Sequence, residues 1–422
     1  MENKIAENIE PKEKAVLVAL DSGEYDADVS LRELEELAVS VGAETAGQAV
    51  QKRDTPDPKT FIGMGKLEEI KDFAESQGAN LLIFDSELSA AQVRNIEEIT
   101  GIRTIDRTML ILDIFSRRAL SSEGRLQVEL AQLRYMLPRL RGAGQELSRQ
   151  GGGAAAGIGA RRGAGETRLE TDRRRLRRKI AALEEELSEL EKRREDLRKR
   201  RKKNNVRTVA LFGYTNVGKS TLLNALTDSD VYADDKLFAT LDPTARKLEL
   251  PDGRTAVLID TVGLVRRLPH HLVEAFKSTL EETASADLIL NVCDASSVEA
   301  CEQAEVAERL LEELGAGHIP LINVLNKCDV AQGDLPRFRA SVMVSAKTGQ
   351  NLDLLLEEMS KALPAAAQRM KLLIPYGNAA FLNKIRLDGK VFSENFSGDG
   401  IEVDALVEKS LTKSAMEYKT NL

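Results

Sequence analysis

Hydrophobic positions along the chain fall into three textures. Residues 1–118 alternate short apolar runs with amphipathic stretches. Ala15–Leu20 (AVLVAL) and Leu81–Phe84 (LLIF) are continuous apolar runs of strand length, and Gln48–Arg53 fits a further strand. Leu31–Val39, Lys66–Glu75 and Ala90–Ile99 carry apolar residues at helical spacing. Strands alternating with helices predict a small parallel α/β domain. The texture changes near Ser121. Leu126, Leu130, Leu133, Leu137 and Leu140 form a one-sided helical stripe, and Leu169, Leu176, Ile180, Leu183, Leu187, Leu190 and Leu197 form a second one at heptad spacing. Between them, residues 142–165 hold nine glycines in 24 positions, where no regular core is expected. Two stripes joined by a glycine-rich tip predict an antiparallel helical hairpin. The competing expectations are one amphipathic helix on a globular core, or a linker between two domains. The α/β pattern then resumes. Thr208–Phe212, Ala256–Ile259, Leu288–Val292 and Pro320–Leu325 are strand-like, and Ser220–Ala225, Leu272–Glu282, Val298–Leu314 and Leu352–Leu363 are helix-like. Short apolar runs at 372–374, 391–392 and 401–403 close the chain as a small mixed domain. The expected domains are 1–118 (α/β), 119–204 (helical hairpin), 205–365 (nucleotide-binding) and 366–422 (mixed).

Charge sharpens the picture of the hairpin. The whole chain carries −8, yet residues 161–204 hold 18 Lys and Arg against 10 Asp and Glu, a net of +8. The remainder is therefore at −8 − 8 = −16. Such asymmetry favours a polyanion partner, against the plainer alternative of a solvated helix face. With no Trp and 4% aromatic residues, an aromatic base-stacking platform is not expected. No apolar run is long enough for a membrane span, the first residues lack an apolar signal core, and three scattered cysteines fit a reducing cytoplasm.

The chemistry lies in four motifs, each at the end of an expected strand. Gly213-Tyr214-Thr215-Asn216-Val217-Gly218-Lys219-Ser220, followed by Thr221, matches the phosphate-binding loop G-x-x-x-x-G-K-[ST]. Its glycines let backbone N–H groups wrap the phosphates, Lys219 neutralises the β- and γ-phosphates, and the Ser220 hydroxyl ligates Mg²⁺. Asn216 is also a candidate ligand for K⁺, the alternative being a hydrogen bond within the loop. Asp260-Thr261-Val262-Gly263 supplies a carboxylate for Mg²⁺ and an N–H for the γ-phosphate. Thr240 is the first candidate for a second hydroxyl on Mg²⁺, and Thr244 its competitor. Asn326-Lys327-Cys328-Asp329 and Ser345-Ala346-Lys347 read guanine. Asp329 accepts from N1–H and the 2-amino group, Asn326 bridges to N7 and the phosphate loop, Lys327 packs under the base, and a backbone N–H of the last motif meets O6. A carboxylate placed for guanine rejects adenine, so GTP and GDP are the expected nucleotides and a metabolic kinase is disfavoured. Lys219, Thr240 and Gly263 are the expected catalytic positions. Leu264 stands where many GTPases carry glutamine, so slow intrinsic hydrolysis is expected, completed by backbone, a monovalent cation or a partner.

These residues bring out a family likeness over nearly the whole length. FIGMGKLEEI (61–70), DRTMLILDIFSRRALSSEGRLQVELAQLRYMLPRL (106–140), GIGARRGAGETRLETDRR (157–174), LFATLDPT (237–244) and DTVGL (260–264) resemble the HflX family of ribosome-associated GTPases. Two departures stand out: an added alanine- and glycine-rich stretch in the tip, and Ala164 in place of an expected proline. The resemblance makes the apolar Leu264 a family trait. It implies a cytoplasmic factor that binds the large ribosomal subunit and its rRNA near the peptidyl-transferase region and splits or rescues stalled ribosomes. A monomer is expected. The alternative is a GTPase switch whose hairpin binds a protein.

Overall fold

A computed structural model describes residues 13–149, 162–203, 206–227, 238, 244–261, 263–267, 272, 282–331, 341–363 and 367–419. The glycine-rich tip 151–161 and Thr240 therefore lie outside the described residues. The chain divides into two compact units. The first comprises Met1–Lys192, Asp234–Asp242 and Val265–Lys277. The second comprises Arg193–Ala233, Pro243–Leu264 and Ser278–Leu422.

The first unit is built on four parallel strands, β1 (Lys14–Asp21), β2 (Glu44–Lys52), β3 (Leu81–Phe84) and β4 (Arg103–Asp106), in the order β2-β1-β3-β4. Six successive buried residues in β1 and four in β3 explain their unbroken apolar runs: both faces of a parallel sheet are covered. Helices α1 (Ala27–Ser40), α2 (Met64–Gln77), α3 (Ala90–Thr100) and α4 (Arg107–Arg118) accompany the strands. Side chains set their starts. Asp26 caps α1 by accepting from Asp28 and Val29 N–H, Ser89 and Gln92 form a capping box on α3, and Asp106 caps α4 through Met109 N–H. Sequence periodicity anticipated neither β4 nor α4. RTID is too short to show alternation, and RTMLILDIFSRR follows it with no intervening turn signal, since Asp106 is both the last residue of β4 and the cap of α4.

Helix α5 (Ser122–Arg149) and helix α6 (Arg162–Lys203) follow. Helix α6 has 42 residues and so is about 63 Å long at 1.5 Å per residue. Its Leu183 is buried and Leu176, Ile180, Leu187 and Leu190 are half-buried, so the heptad stripe faces inward. Ion pairs Lys179–Glu129 and Arg134–Glu184 (2.7 Å) tie the two helices together. Both helices extend into the glycine-rich segment 142–165, because extending an existing helix costs no new nucleus. The buried Asp106 carboxylate anchors α5 to the end of β4: it accepts from Tyr135 Oη (2.6 Å), Leu88 N–H (3.0 Å) and Arg139 (3.2 Å).

In the second unit six strands run in the order β10-β9-β8-β5-β7-β6. These are β5 (Arg207–Phe212), β6 (Thr244–Glu249), β7 (Thr255–Asp260), β8 (Leu288–Asp294), β9 (Leu321–Asn326) and β10 (Ser341–Met343). All are parallel except β6, which pairs antiparallel with β7. Helices α7 (Lys219–Thr227), α8 (Ala300–Glu313) and α9 (Leu352–Ala362) belong to this part. The last segment adds an antiparallel sheet β11-β13-β12, from β11 (Ala367–Ile374), β12 (Lys390–Ser397) and β13 (Gly400–Glu408), with α10 (Ala379–Asp388) and α11 (Lys409–Met416). Its core includes Met370, Leu372, Ile374, Leu382, Ile385, Val403 and Ala405, an independent apolar cluster. Among the described residues no helix is long and apolar enough to cross a membrane.

Candidate functional site: the carboxyl ends of the six-stranded sheet

In an open α/β sheet the ligand crevice lies beyond the strand carboxyl ends where strand order reverses. That point here is β5, flanked by β8 on one side and β7 on the other. The loop leaving β5 is Gly213–Gly218, and α7 begins at Lys219. Gly213 has φ +134°, and a Cβ there would lie 2.2 Å from Val292 O. Gly218 has φ +90°, and its Cβ would lie 2.4 Å from Asn326 Nδ2. Neither position accepts a side chain, which is why glycine recurs at this spacing. Asn216, between them, is exposed and also left-handed at φ +61°. Tyr214 and Val217 are buried, and Thr215 is half-buried.

Lys219 is buried, with Nζ donating to Gly213 O (3.0 Å) and Tyr214 O (2.6 Å). Burial pushes its pKa down to about 8, partly offset by Asp260. The next residue, Ser220, donates Oγ–H to Asp260 Oδ2 at 2.7 Å. Asp260, the last residue of β7, is fully buried. A hydroxyl and a carboxylate converging on one point, both hard oxygen donors, fit a magnesium ion. Thr221 follows in α7. Thr244, the alternative to Thr240, opens β6 directly opposite Asp260 in the ladder.

The second motif lies against the first. Leu264 N–H donates to Gly213 O (3.0 Å), and Thr215 N–H donates to Leu264 O (2.8 Å). The Leu264 side chain is itself buried. A Cβ at Gly263 would lie 2.6 Å from Thr215 Cγ2 and 3.1 Å from Lys219 Nζ, so glycine permits this approach. Thr261, which sequence reasoning passed over, donates to Leu211 O at 2.6 Å and fixes the end of β7 to β5. Its neighbour Val262 lies outside the described residues.

Asn326 ties three motifs into one cluster. Its amide donates to Val217 O in the phosphate loop (2.8 Å), and its Oδ1 accepts from Ala346 N–H (2.9 Å). Lys327 follows in a left-handed conformation, φ +63°, with its ammonium 2.7 Å from Asp294 Oδ2. Asp329 is exposed on the turn. Ser345 is fully buried and receives Thr348 N–H (3.2 Å), Ala346 is buried, and Lys347 is exposed. Asp294 is the residue that sequence inspection did not single out. A lone aspartate at a strand end carries no signal until its partner is known.

With this geometry in hand, comparison with known proteins is informative. Models described as the GTP-binding GTPase N-terminal region, the GTP-binding GTPase middle region and the 50S ribosome-binding GTPase match residues 28–116, 118–201 and 208–327. The GTPase HflX of Caldanaerobacter subterraneus subsp. tengcongensis is 52% identical over 396 residues, covering 94% of this chain and 91% of that protein. The chain belongs to the HflX family. The HflX proteins of Lacrimispora saccharolytica and Escherichia coli K12 are 46% and 45% identical, covering 96% and 86% of this chain and 96% and 86% of their own lengths. Among solved structures, the SsGBP–GDP complex is similar at 26% identity and a TM-score of 0.47, covering 83% of this chain and 98% of that one.

Proposed function

We propose that this GTPase of the HflX family binds GTP with Mg²⁺ and uses its hydrolysis to control attachment to the large ribosomal subunit, where it splits or rescues stalled ribosomes. The observation that carries the nucleotide assignment is Asn326, which joins the phosphate loop, the NKCD turn and the SAK turn through two hydrogen bonds. Those three segments are separate in sequence and useful together only around a guanine nucleotide.

Gly213–Thr221 wrap the phosphates, with the amino end of α7 adding partial positive charge. Lys219 exchanges its two carbonyl partners for β- and γ-phosphate oxygens. Ser220 and Asp260, with Thr240, hold Mg²⁺, which when bound neutralises charge developing on the phosphates. Gly263 N–H is directed to the γ-phosphate. Asp329, Asn326 and the Ser345–Lys347 turn read the base, and the Lys327 stem lies beneath it. Leu264 is buried and apolar, so it excludes water rather than orienting it. Turnover then depends on a backbone group, a potassium ion near Asn216, or the ribosome. Equal rates in K⁺ and Na⁺ would retire the potassium role.

For the partner, support comes from the family and from charge. Residues 161–204 carry +8 within a chain of −8, and α6 displays that charge along about 63 Å of helix. RNA binding through phosphates falls steeply with salt, whereas docking on a protein through the leucine seam does not. We assign 1–118, 119–204, 205–365 and 366–422 as the functional segments, with the tip at 151–165 as the RNA-contacting end. The test is cosedimentation of the full chain with large subunits across a salt series, with GTP and GDP analogues, beside a variant lacking 151–163. The deletion should keep its GTP affinity but lose ribosome binding and ribosome-stimulated hydrolysis. Normal cosedimentation and stimulation of the deletion would make the tip a linker.

A further inference from the structure

Asp294 terminates β8, directly opposite Asn326 in the parallel ladder with β9. Its two carboxylate oxygens have separate tasks. Oδ1 accepts from Ser296 N–H (2.9 Å) and Ser296 Oγ–H (2.5 Å), closing the turn after the strand. Oδ2 faces the Lys327 ammonium at 2.7 Å. The pair is only partly exposed, at 18% for the Asp294 side chain and 32% for Lys327, so water does not fully screen it. The backbones are locked as well. Ala295 N–H donates to Asn326 O (2.8 Å), Cys328 N–H donates to Val344 O (3.2 Å), and Lys327 is held at φ +63°.

We propose that Asp294 is a positioning residue for guanine nucleotide binding, acting through Lys327. It rests on the assignment of Lys327 to the underside of the base. A lysine stem has four rotatable carbons and no intrinsic reason to lie flat. Here its backbone end is pinned by the NKCD turn and its ammonium end by Asp294, so the methylenes between are drawn into one path. The apolar stem is thereby presented to the base before nucleotide arrives, and binding loses less side-chain freedom. An ion pair serving only the turn would need Oδ1 alone. The second oxygen, spent on a residue of the guanine motif, is what assigns the role.

The test uses the full chain and a fluorescent GDP. Asp294→Asn keeps an oxygen for the Ser296 turn while removing the charge that holds Lys327. It should speed GDP and GTP dissociation and raise KM by roughly three- to ten-fold, with kcat changed far less, as expected for lost ground-state positioning. Asp294→Glu should restore most of the affinity. Ser296→Ala, which disturbs the Oδ1 side only, should leave dissociation unchanged. In a Lys327→Met background, Asp294→Asn should add nothing further. Unchanged dissociation in Asp294→Asn, or an undiminished effect of it beside Lys327→Met, overturns the role of Asp294 while Lys327 stands. If Lys327→Met alone leaves binding unchanged, the assignment of Lys327 fails, and the role of Asp294 with it.

Discussion

The molecule contains two parallel sheets that end in opposite ways. In the first unit the strand order β2-β1-β3-β4 reverses between β1 and β3, the place where such sheets commonly receive a ligand. The carboxyl end of β3 is followed there by Asp85, which is fully buried and accepts from Ser30 Oγ (2.8 Å), Arg107 (2.9 Å) and Arg267. Arg267 also donates to Asp85 O (2.7 Å) and lies over the Tyr25 ring at 3.9 Å. Beside it Glu33, whose pKa burial raises against the pull of Arg107, binds Arg107 and receives Arg266 N–H (3.2 Å). The carboxylates here are thus matched by the chain's own arginines, Arg107 of α4 and Arg267 of the segment Val265–Lys277, both in this unit. At the β5 end of the second sheet Asp260 instead accepts from Ser220 Oγ and lies near the Lys219 charge. Three positive-φ residues, Gly213, Asn216 and Gly218, turn a loop there. Strand topology offers a crevice in both sheets; backbone chemistry makes only one of them suited to phosphate. Each crevice holds a buried carboxylate, Asp85 in the first and Asp260 in the second; Asp85 is matched by Arg107 and Arg267 within the fold, whereas the second lies beside a glycine loop and the Lys219 ammonium, groups that attract phosphate.

That contrast can be broken from either side. The largest effect is expected from Lys219→Ala, which removes the cation of the phosphate loop and should cut GTP hydrolysis by about 10²–10³-fold. A variant that turns over GTP at the normal rate would falsify the site assignment. Asp329→Asn should shift preference from GTP toward XTP by about 10²-fold, since an amide offers an N–H where guanine needs an acceptor. Competition assays with the two nucleotides measure it, and an unchanged ratio removes Asp329 from base recognition. On the other sheet, Asp85→Ala leaves Arg107 and Arg267 without their shared carboxylate. It should destabilise the fold by about 3 kcal/mol in denaturant melts, while the folded fraction keeps its GDP affinity. A loss of affinity instead would mean that the first sheet takes part in the nucleotide site.

The smallest effect sharpens the comparison through pH. Lys219 titrates near 8, below its ordinary value of 10.5. The unfolded chain therefore holds more protons between those values, so this group makes stability rise with pH across that window. Nucleotide binding has the opposite sign, because phosphate requires the ammonium. Affinity should fall by about tenfold per pH unit above 8, with proton uptake visible by calorimetry in buffers of different ionisation enthalpy. A flat affinity between pH 7 and pH 9 would show that Lys219 stays charged throughout.

The amino-acid sequence alone displayed the four motifs of the candidate site and most of the strands and helices that carry them. The phosphate loop is legible because its conformation is local: Gly213 and Gly218 sit where only glycine fits, and the strand before and helix after have their own apolar periods. The inward stripe of α6 is legible for the same reason. What the sequence could not display were relations between distant residues. Asp294 and Lys327 meet only because β8 and β9 lie side by side, in register at Asp294 and Asn326. Arg267 reaches Asp85 across 182 positions, and Asn326 reaches Val217 across 109. The short β4 lacked a periodic signal, and its boundary with α4 is set at Asp106, which ends the strand and caps the helix. Local backbone preference is written residue by residue, but a charge finds its partner only after the strands have paired, so tertiary structure alone decided that Asp294 meets Lys327 and that Asp85 meets Arg107 and Arg267.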